Sequence, residues 1–133
     1  MVGTIQKNMS QHLILTTGIY DLIKEQVRRR NVSDIEGERL LLELKHAKQV
    51  RRRDLPDDVV SIDSRVTIKN HESGAEEVHT FVPPGKARQR HKTQSIITPM
   101  GLALVGYKPG SRIKWPFNGG QEKELEILKV ERI

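Results

Sequence analysis

The hydrophobic pattern of this chain changes period at Leu55-Pro56, and few folds accommodate both halves. Before that point apolar residues recur every three or four positions. From Ile19 they fall at Ile19, Leu22, Ile23 and Val27, which is one face of a helix. Arg28, Arg29 and Arg30 then put positive charge where a helix C-terminus favours it. A second helix is predicted from Ser33, which can cap the free amides while Glu36 reaches back in a Ser-x-x-Glu capping box. Its stripe reads Leu40, Leu41, Leu44 and Ala47, extended to Val50, and Gly37 weakens its start by about 1 kcal/mol relative to alanine. The connection Arg30-Asn31-Val32 is so short that the helices fold back antiparallel.

After Leu55-Pro56 the period drops to two. In Ser64–Asn70, Val66 and Ile68 alternate with Arg65, Thr67 and Lys69, as in a half-buried strand. Glu77–Val82 is the predicted return strand, and the loop Pro83–Gln94 leads to a short strand at Ser95–Ile97. Strands at Ser111–Phe117 and Lys123–Ile133 flank Asn118-Gly119-Gly120, a hairpin turn sequence. Between them Thr98 and Pro99 open a helix and Gly106 closes it. Such a helix is far shorter than the roughly 12 residues an isolated helix needs. It is therefore predicted to lie on one face of the sheet, with Leu102, Leu104 and Val105 in the core. A helical hairpin followed by an antiparallel sheet with one short helix is an α+β fold. The expected division is 1–54 for the N-terminal arm and hairpin and 55–133 for the sheet domain.

Composition narrows the function. No cysteine is present, which removes disulfides, thiolate metal sites and cysteine nucleophiles. No apolar run approaches the ~18 residues that span a membrane, and Met1–Gly18 lacks the pattern of a signal peptide, so a cytoplasmic protein without membrane contact is expected. The histidines at 12, 46, 71, 79 and 91 show no metal-ligand spacing, and neither a metal nor a cofactor is expected. His79 reads as sheet surface and Trp115 as core or rim packing. The net charge is +6, with basic runs at Arg28–Arg30, Arg51–Arg53 and Lys86–Lys92. These runs can contact phosphates, but aromatic residues make up only 4% of the chain, leaving few rings to stack on bases. Weak nucleic-acid contact and an acidic protein partner both remain open.

Asp58–Asn70 ("DVVSIDSRVTIKN"), Ser95–Trp115 ("SIITPMGLALVGYKPGSRIKW") and "ELEILKV" together resemble the C-terminal domain of the Gre transcript-cleavage factors, and closest among them the short Rnk-like members. "ILTTGIYDLIKEQ" (Ile14–Gln26) resembles the opening of the Gre N-terminal helix, and Pro99–Gly110 is the most specific element. Ser111 departs from the family, which usually has an acid there. The resemblance implies an FKBP-like sheet domain docked at the rim of the secondary channel of bacterial RNA polymerase, with the helical hairpin, a short coiled coil, pointing inward. It places Thr98, Pro99 and Met100 in the polymerase-binding loop, and Asn31, Asp34 and Glu36 at the hairpin tip, with Arg28, Arg29 and Arg30 as basic channel contacts.

In Gre factors two tip carboxylates help hold a catalytic magnesium in the polymerase site. Magnesium accepts oxygen ligands only at close range and in strict geometry. The Gre tip Asp-Leu-Ser-Glu corresponds here to Asn31-Val32-Ser33-Asp34, so the first acid is an amide and the second is shorter. Thr16 to Asn31 spans only about 22 Å as helix. Asp34 and Glu36 are then better read as capping and dipole groups, worth ~0.5–1 kcal/mol each. The expected function is a non-enzymatic regulator, monomeric or weakly dimeric, that competes with Gre-type factors without stimulating cleavage. A compact Gre factor that does stimulate cleavage, a prolyl isomerase, and an independent nucleic-acid binder are the alternatives, and fold alone does not choose among them.

Overall fold

A computed structural model describes residues 13–117 and 121–133. Strand β1 (Ile14–Thr16) runs into helix α1 (Thr17–Arg28), and helix α2 (Asp34–His46) returns to strand β2 (Lys48–Val50). Thr16 starts α1, its hydroxyl accepting from the Ile19 N–H at 3.2 Å. Ile19, Ile23 and Gln26 form its buried line. The helix ends in a Schellman motif, with Arg30 N–H on the Val27 carbonyl at 3.1 Å and Asn31 N–H on the Gln26 carbonyl at 3.0 Å. That motif puts Arg30 at φ 57°, where a side chain costs about 1 kcal/mol relative to glycine.

Ser33 caps α2 as expected. Its inward line is Glu36, Gly37, Leu40 and Leu44, whereas Leu41, expected in the stripe, is 51% exposed. One hundred degrees per residue carries position 41 to the flank of the buried line, beside the cleft it lines with Val27 and Val32. The helix also stops at His46, so Val50 belongs to β2 rather than to the stripe. β1 and β2 pair in parallel, Leu15 opposite Gln49, a pairing between segments too short to show alternation.

The second half is a five-stranded sheet in the order β5-β4-β3-β7-β6. Its members are β3 (Ser64–Asn70), β4 (Glu76–Val82), β5 (Thr93–Ser95), β6 (Arg112–Phe117) and β7 (Gln121–Arg132). All neighbours are antiparallel except β4 and β5. β5 lies two residues earlier than expected and runs parallel because the 83–92 loop carries the chain back along β4 before it pairs. Ile96 and Ile97 fall in the turn that follows. The predicted Asn118-Gly119-Gly120 turn lies outside the described residues; the strands beside it pair with Phe117 opposite Gln121.

β7 buries Leu125, Ile127 and Val130, a period-two pattern that slips by one residue. The register shows why. Ile68 faces Ile127 but Thr67 faces Lys129, leaving Leu128 as the extra residue of a bulge and 37% exposed. Inward residues of β3, β6 and β7 meet helix α3 (Pro99–Leu104), whose Leu102, Ala103 and Leu104 are buried with Val105. The expected α+β architecture is thus present.

Two close approaches hold α3. A Cβ on Gly101 would come 2.2 Å from the Ile96 carbonyl oxygen. Gly106, at φ 90°, donates to the Val60 carbonyl and accepts from the Ile14 N–H, tying the helix end to both β1 and the 59–60 segment. Gly101→Ala is therefore expected to destabilise the protein by about 3 kcal/mol or more, since backbone must move to admit the methyl. Gly18→Ala, in α1 with nothing within 4 Å of the added carbon, should instead stabilise by about 0.5–1 kcal/mol. Urea denaturation midpoints of the two variants check both signs.

Candidate functional site

The 98–100 loop is fastened to the sheet by a line of side chains. The Thr98 hydroxyl accepts from the Gly101 N–H at 3.3 Å and donates to the Ser95 carbonyl at 2.8 Å. It also lies 3.3 Å from the Gln94 amide oxygen. The Gln94 amide nitrogen is 2.8 Å from His79 Nδ1, and His79 Nε2 is 3.0 Å from Glu77 Oε1. A carboxylate facing Nε2 and an amide N–H facing Nδ1 select the Nε2–H tautomer. His79 was expected on the sheet surface; its side chain is only 18% exposed and its ring stacks on Phe81. Pro99 is exposed, while Met100 and Ile97 are half-buried against the core.

The hairpin tip separates the residues that the sequence groups together. Asn31 and Asp34 are exposed, and the Asn31 side-chain amide donates to Gln26 Oε1 at 3.1 Å. Arg28 and Arg29 are exposed, and both donate to Glu25 at 2.5 Å. The Arg28 hydrogen bond, then that of Arg29, holds the Glu25 carboxyl down to about 2. Arg30 lines a shallow cleft of about 310 Å³ with Val27, Val32, Asp34, Gly37 and Leu41. Glu36, expected among the tip contacts, is corrected by the structure: it is 8% exposed and points away from the tip into the sheet. One of its oxygens accepts from the Ser33 hydroxyl at 3.1 Å and the other from the Trp115 indole N–H at 3.1 Å. The capping box is therefore half formed, because Glu36 meets the Ser33 side chain and not its backbone.

Glu36 is the first member of a polar seam that binds α2 to the sheet. Arg39, one turn on, donates to the Lys114 carbonyl at 2.7 Å and sits 5.5 Å from the centre of the Trp115 ring. Glu43 accepts from the Tyr107 hydroxyl at 2.6 Å and pairs with Arg39 at 3.4 Å. Burial pushes the Glu43 carboxyl up, against the opposing pull of Tyr107 and Arg39. Burial and the facing carboxylate push the Tyr107 phenol up as well. The Arg39–Glu43 spacing of four residues was visible in the sequence as a helix pair; its partners at 107 and 114 had no local signal. Gln94 and Glu77 were likewise missed, and nothing in their spacing marks them.

A second cleft, of about 380 Å³, lies where the arm meets the sheet and is lined by Arg52, Arg53, Asp57, Asp63 and Arg132. Arg132 is committed to the carbonyls of Pro56, Val59 and Ile62. The charges of the cleft are of both signs, and Arg52 pairs with Asp63 at 3.8 Å. Among the described residues no cluster of three His, Asp or Glu side chains could hold a metal ion, and no helix is long and apolar enough to cross a membrane.

The profile of the family described as "Transcription elongation factor, GreA/GreB, C-term" matches residues 55–132. The chain is 36% identical over 89 residues to the regulator of nucleoside diphosphate kinase of Escherichia coli (strain K12), covering 67% of this chain and 65% of that protein. It thus spans just under two thirds of that relative's length. It is 30% identical over 132 residues to the transcription elongation factor GreA of Clostridium beijerinckii, covering 96% of this chain and 82% of the relative. The solved structure of a prokaryotic transcription elongation factor GreA/GreB from Nitrosomonas europaea superposes with a TM-score of 0.62 at 26% identity, covering 90% of this chain and 98% of that one.

The raised Glu43 carboxyl makes a signed prediction. The folded state holds this proton more tightly than the unfolded chain, so stability is lost as pH rises from 4.5, its ordinary value, through the raised one. Glu43→Gln keeps an acceptor for Tyr107 and removes the titration. In urea melts between pH 4.5 and pH 8 (about the range in which a buried carboxyl titrates), the wild type should lose stability relative to Glu43→Gln as pH increases.

Proposed function

The chain belongs to the GreA/GreB family of transcription elongation factors, and we propose that it is a member that binds RNA polymerase at the secondary-channel rim and competes with Gre-type factors without stimulating transcript cleavage. Thr98, Pro99 and Met100 supply the polymerase-binding loop, and the hairpin enters the channel mouth. Asn31 and Asp34 form its leading end, with Arg28, Arg29 and Arg30 behind. The observation that carries this reading is the direction of Glu36. Assisting a magnesium ion requires carboxylate oxygens at about 2.1 Å from it in octahedral geometry. Glu36 is held by Trp115 and Ser33 with its back to the tip, the turn itself carries Asn31 where Gre factors carry an acid, and the exposed acids of the second helix nearest the end are Asp34 and, one turn further back, Glu38.

Length supports the same conclusion. α1 has 12 residues, about 18 Å of helix, and an arm of that size occupies the entrance rather than the catalytic centre. The exposed guanidinium groups of Arg28 and Arg29 are already neutralised in part by Glu25, so their contribution is long-range attraction to an acidic channel more than a fixed contact.

The test uses stalled elongation complexes. Added alone, the protein should leave the rate of transcript cleavage unchanged; added in excess with a cleavage-stimulating Gre factor, it should suppress that factor's effect. Met100→Asp, which puts a charge on the half-buried docking loop, should weaken the suppression by about tenfold or more, consistent with burying an unpaired charge in an interface. Cleavage accelerated by the protein and abolished in Asp34→Ala would favour the compact cleavage factor instead.

A further inference from the structure

The face of α2 turned away from the core is not an ordinary solvated helix surface. At 100° per residue, Asp34, Ile35, Glu38, Leu42, Lys45 and His46 fall within one stripe opposite the buried Glu36, Leu40 and Leu44, with Leu41 at its edge. Ile35, Leu41 and Leu42 are 50%, 51% and 59% exposed, the three of them on a single helix of 13 residues. The charges of the stripe are sorted along its length: Asp34 and Glu38 at the N-terminal end, Lys45 and His46 at the C-terminal end.

An exposed helix normally pairs opposite charges three or four residues apart. Here Glu38 has Asp34 and Ile35 behind it and Leu41 and Leu42 ahead, and Lys45 has Leu41 and Leu42 behind it and Lys48 three residues on. Among the described residues, the ion pair that α2 makes is Arg39–Glu43, on its inner side. The stripe therefore carries an acidic end, an apolar middle and a basic end, and among the described residues none of its charges is ion-paired. Turned end for end, that pattern is its own complement.

We propose that this face docks on the same face of a second copy, the two α2 helices running antiparallel about a two-fold axis. With the axis between positions 41 and 42, Leu42 of each copy meets Leu42 of the other and Leu41 meets Leu41 beside it, while Ile35 lies at the outer edge of the contact. The acidic end of each helix lies against the basic end of its partner, so that Glu38 faces the partner's Lys45 twice over. An isologous contact of this kind closes on itself and goes no further than a dimer. Confined to one short helix, it buries less than the roughly 1,200 Å² of a standard interface and is correspondingly weak. The proposal stands on α2 alone and is independent of the polymerase reading.

Sedimentation equilibrium of the full chain tests it, over total concentrations from about 1 µM to about 1 mM, the range in which weak interfaces dissociate. The wild type should pass from monomer to dimer. Ile35→Ser with Leu42→Ser should remain monomeric while melting at the wild-type temperature. Glu38→Lys and Lys45→Glu should each dimerise at least tenfold more weakly than the wild type, because each sets like charges against one another. Mixed in equal amounts they should recover the wild-type dimer, since the heterodimer restores both charge pairs. A wild type that stays monomeric throughout, a dimer that survives the double serine substitution, or a mixture that associates no better than its components would overturn the proposal. So would a monomeric wild type whose polymerase binding is lost in the double serine variant, which would assign the face to polymerase.

Discussion

The hydrogen bond between the Trp115 indole and the Glu36 carboxylate is the constraint on which the arrangement of the two halves depends. Trp115 has no exposed surface, and Glu36 almost none. The indole N–H, fully enclosed, has no water as an alternative partner. A buried carboxylate left unpaired costs several kcal/mol, so the pair permits little sliding of α2 across the sheet. The cation above the Trp115 ring and the Tyr107–Glu43 bond repeat the same device along α2, at intervals of one helical turn. The arm is thereby aimed, not merely attached. Among the described residues every buried side-chain nitrogen and oxygen has a partner, as such a seam requires.

That aim bears directly on function. A Glu three residues past a Ser can serve as a cap, as a ligand reaching outward, or as an anchor reaching inward. The partner at position 115 decides for the last. A carboxylate engaged in orienting the arm is withdrawn from the end of the arm, so the same bond that positions the hairpin removes one of the acids it could have offered. Arg30 shows the complementary economy at the turn. A non-glycine residue held at positive φ is tolerated there because the Schellman bonds close the helix in few residues and keep the arm short.

Features governed by neighbours in sequence were legible before the structure. The caps at Ser33 and Thr98, the closing Gly106, the alternation of Val66 and Ile68 and the burial of Leu102 and Leu104 all follow from local spacing. What was misread involves partners far away. Leu41 looked like core beside Leu40 and Leu44, but the face that α2 buries is centred on Glu36, Leu40 and Leu44 and leaves position 41 on its flank. Nothing local marks Leu128 as exposed within its strand, and only the register opposite Thr67 and Ile68 reveals the bulge that expels it. Glu36 was placed in the local role its spacing suggests, while the residue that claims it is 79 positions downstream. A polymerase-binding role for residues 98–100 is an expectation drawn from a resemblance; the Glu77–His79–Gln94 support behind them has no sequence signature at all.

The separation of the seam's two sides also sets an order of events during synthesis. The helical hairpin leaves the ribosome early and can close locally, yet its anchors at Tyr107, Lys114 and Trp115 follow only 64 to 79 residues later. Until those strands emerge, Glu36 and Glu43 face water and the nascent hairpin swings without a fixed heading. Coupling between the halves is thus a late, non-local step. A chain interrupted before β6 would carry a formed but undirected arm.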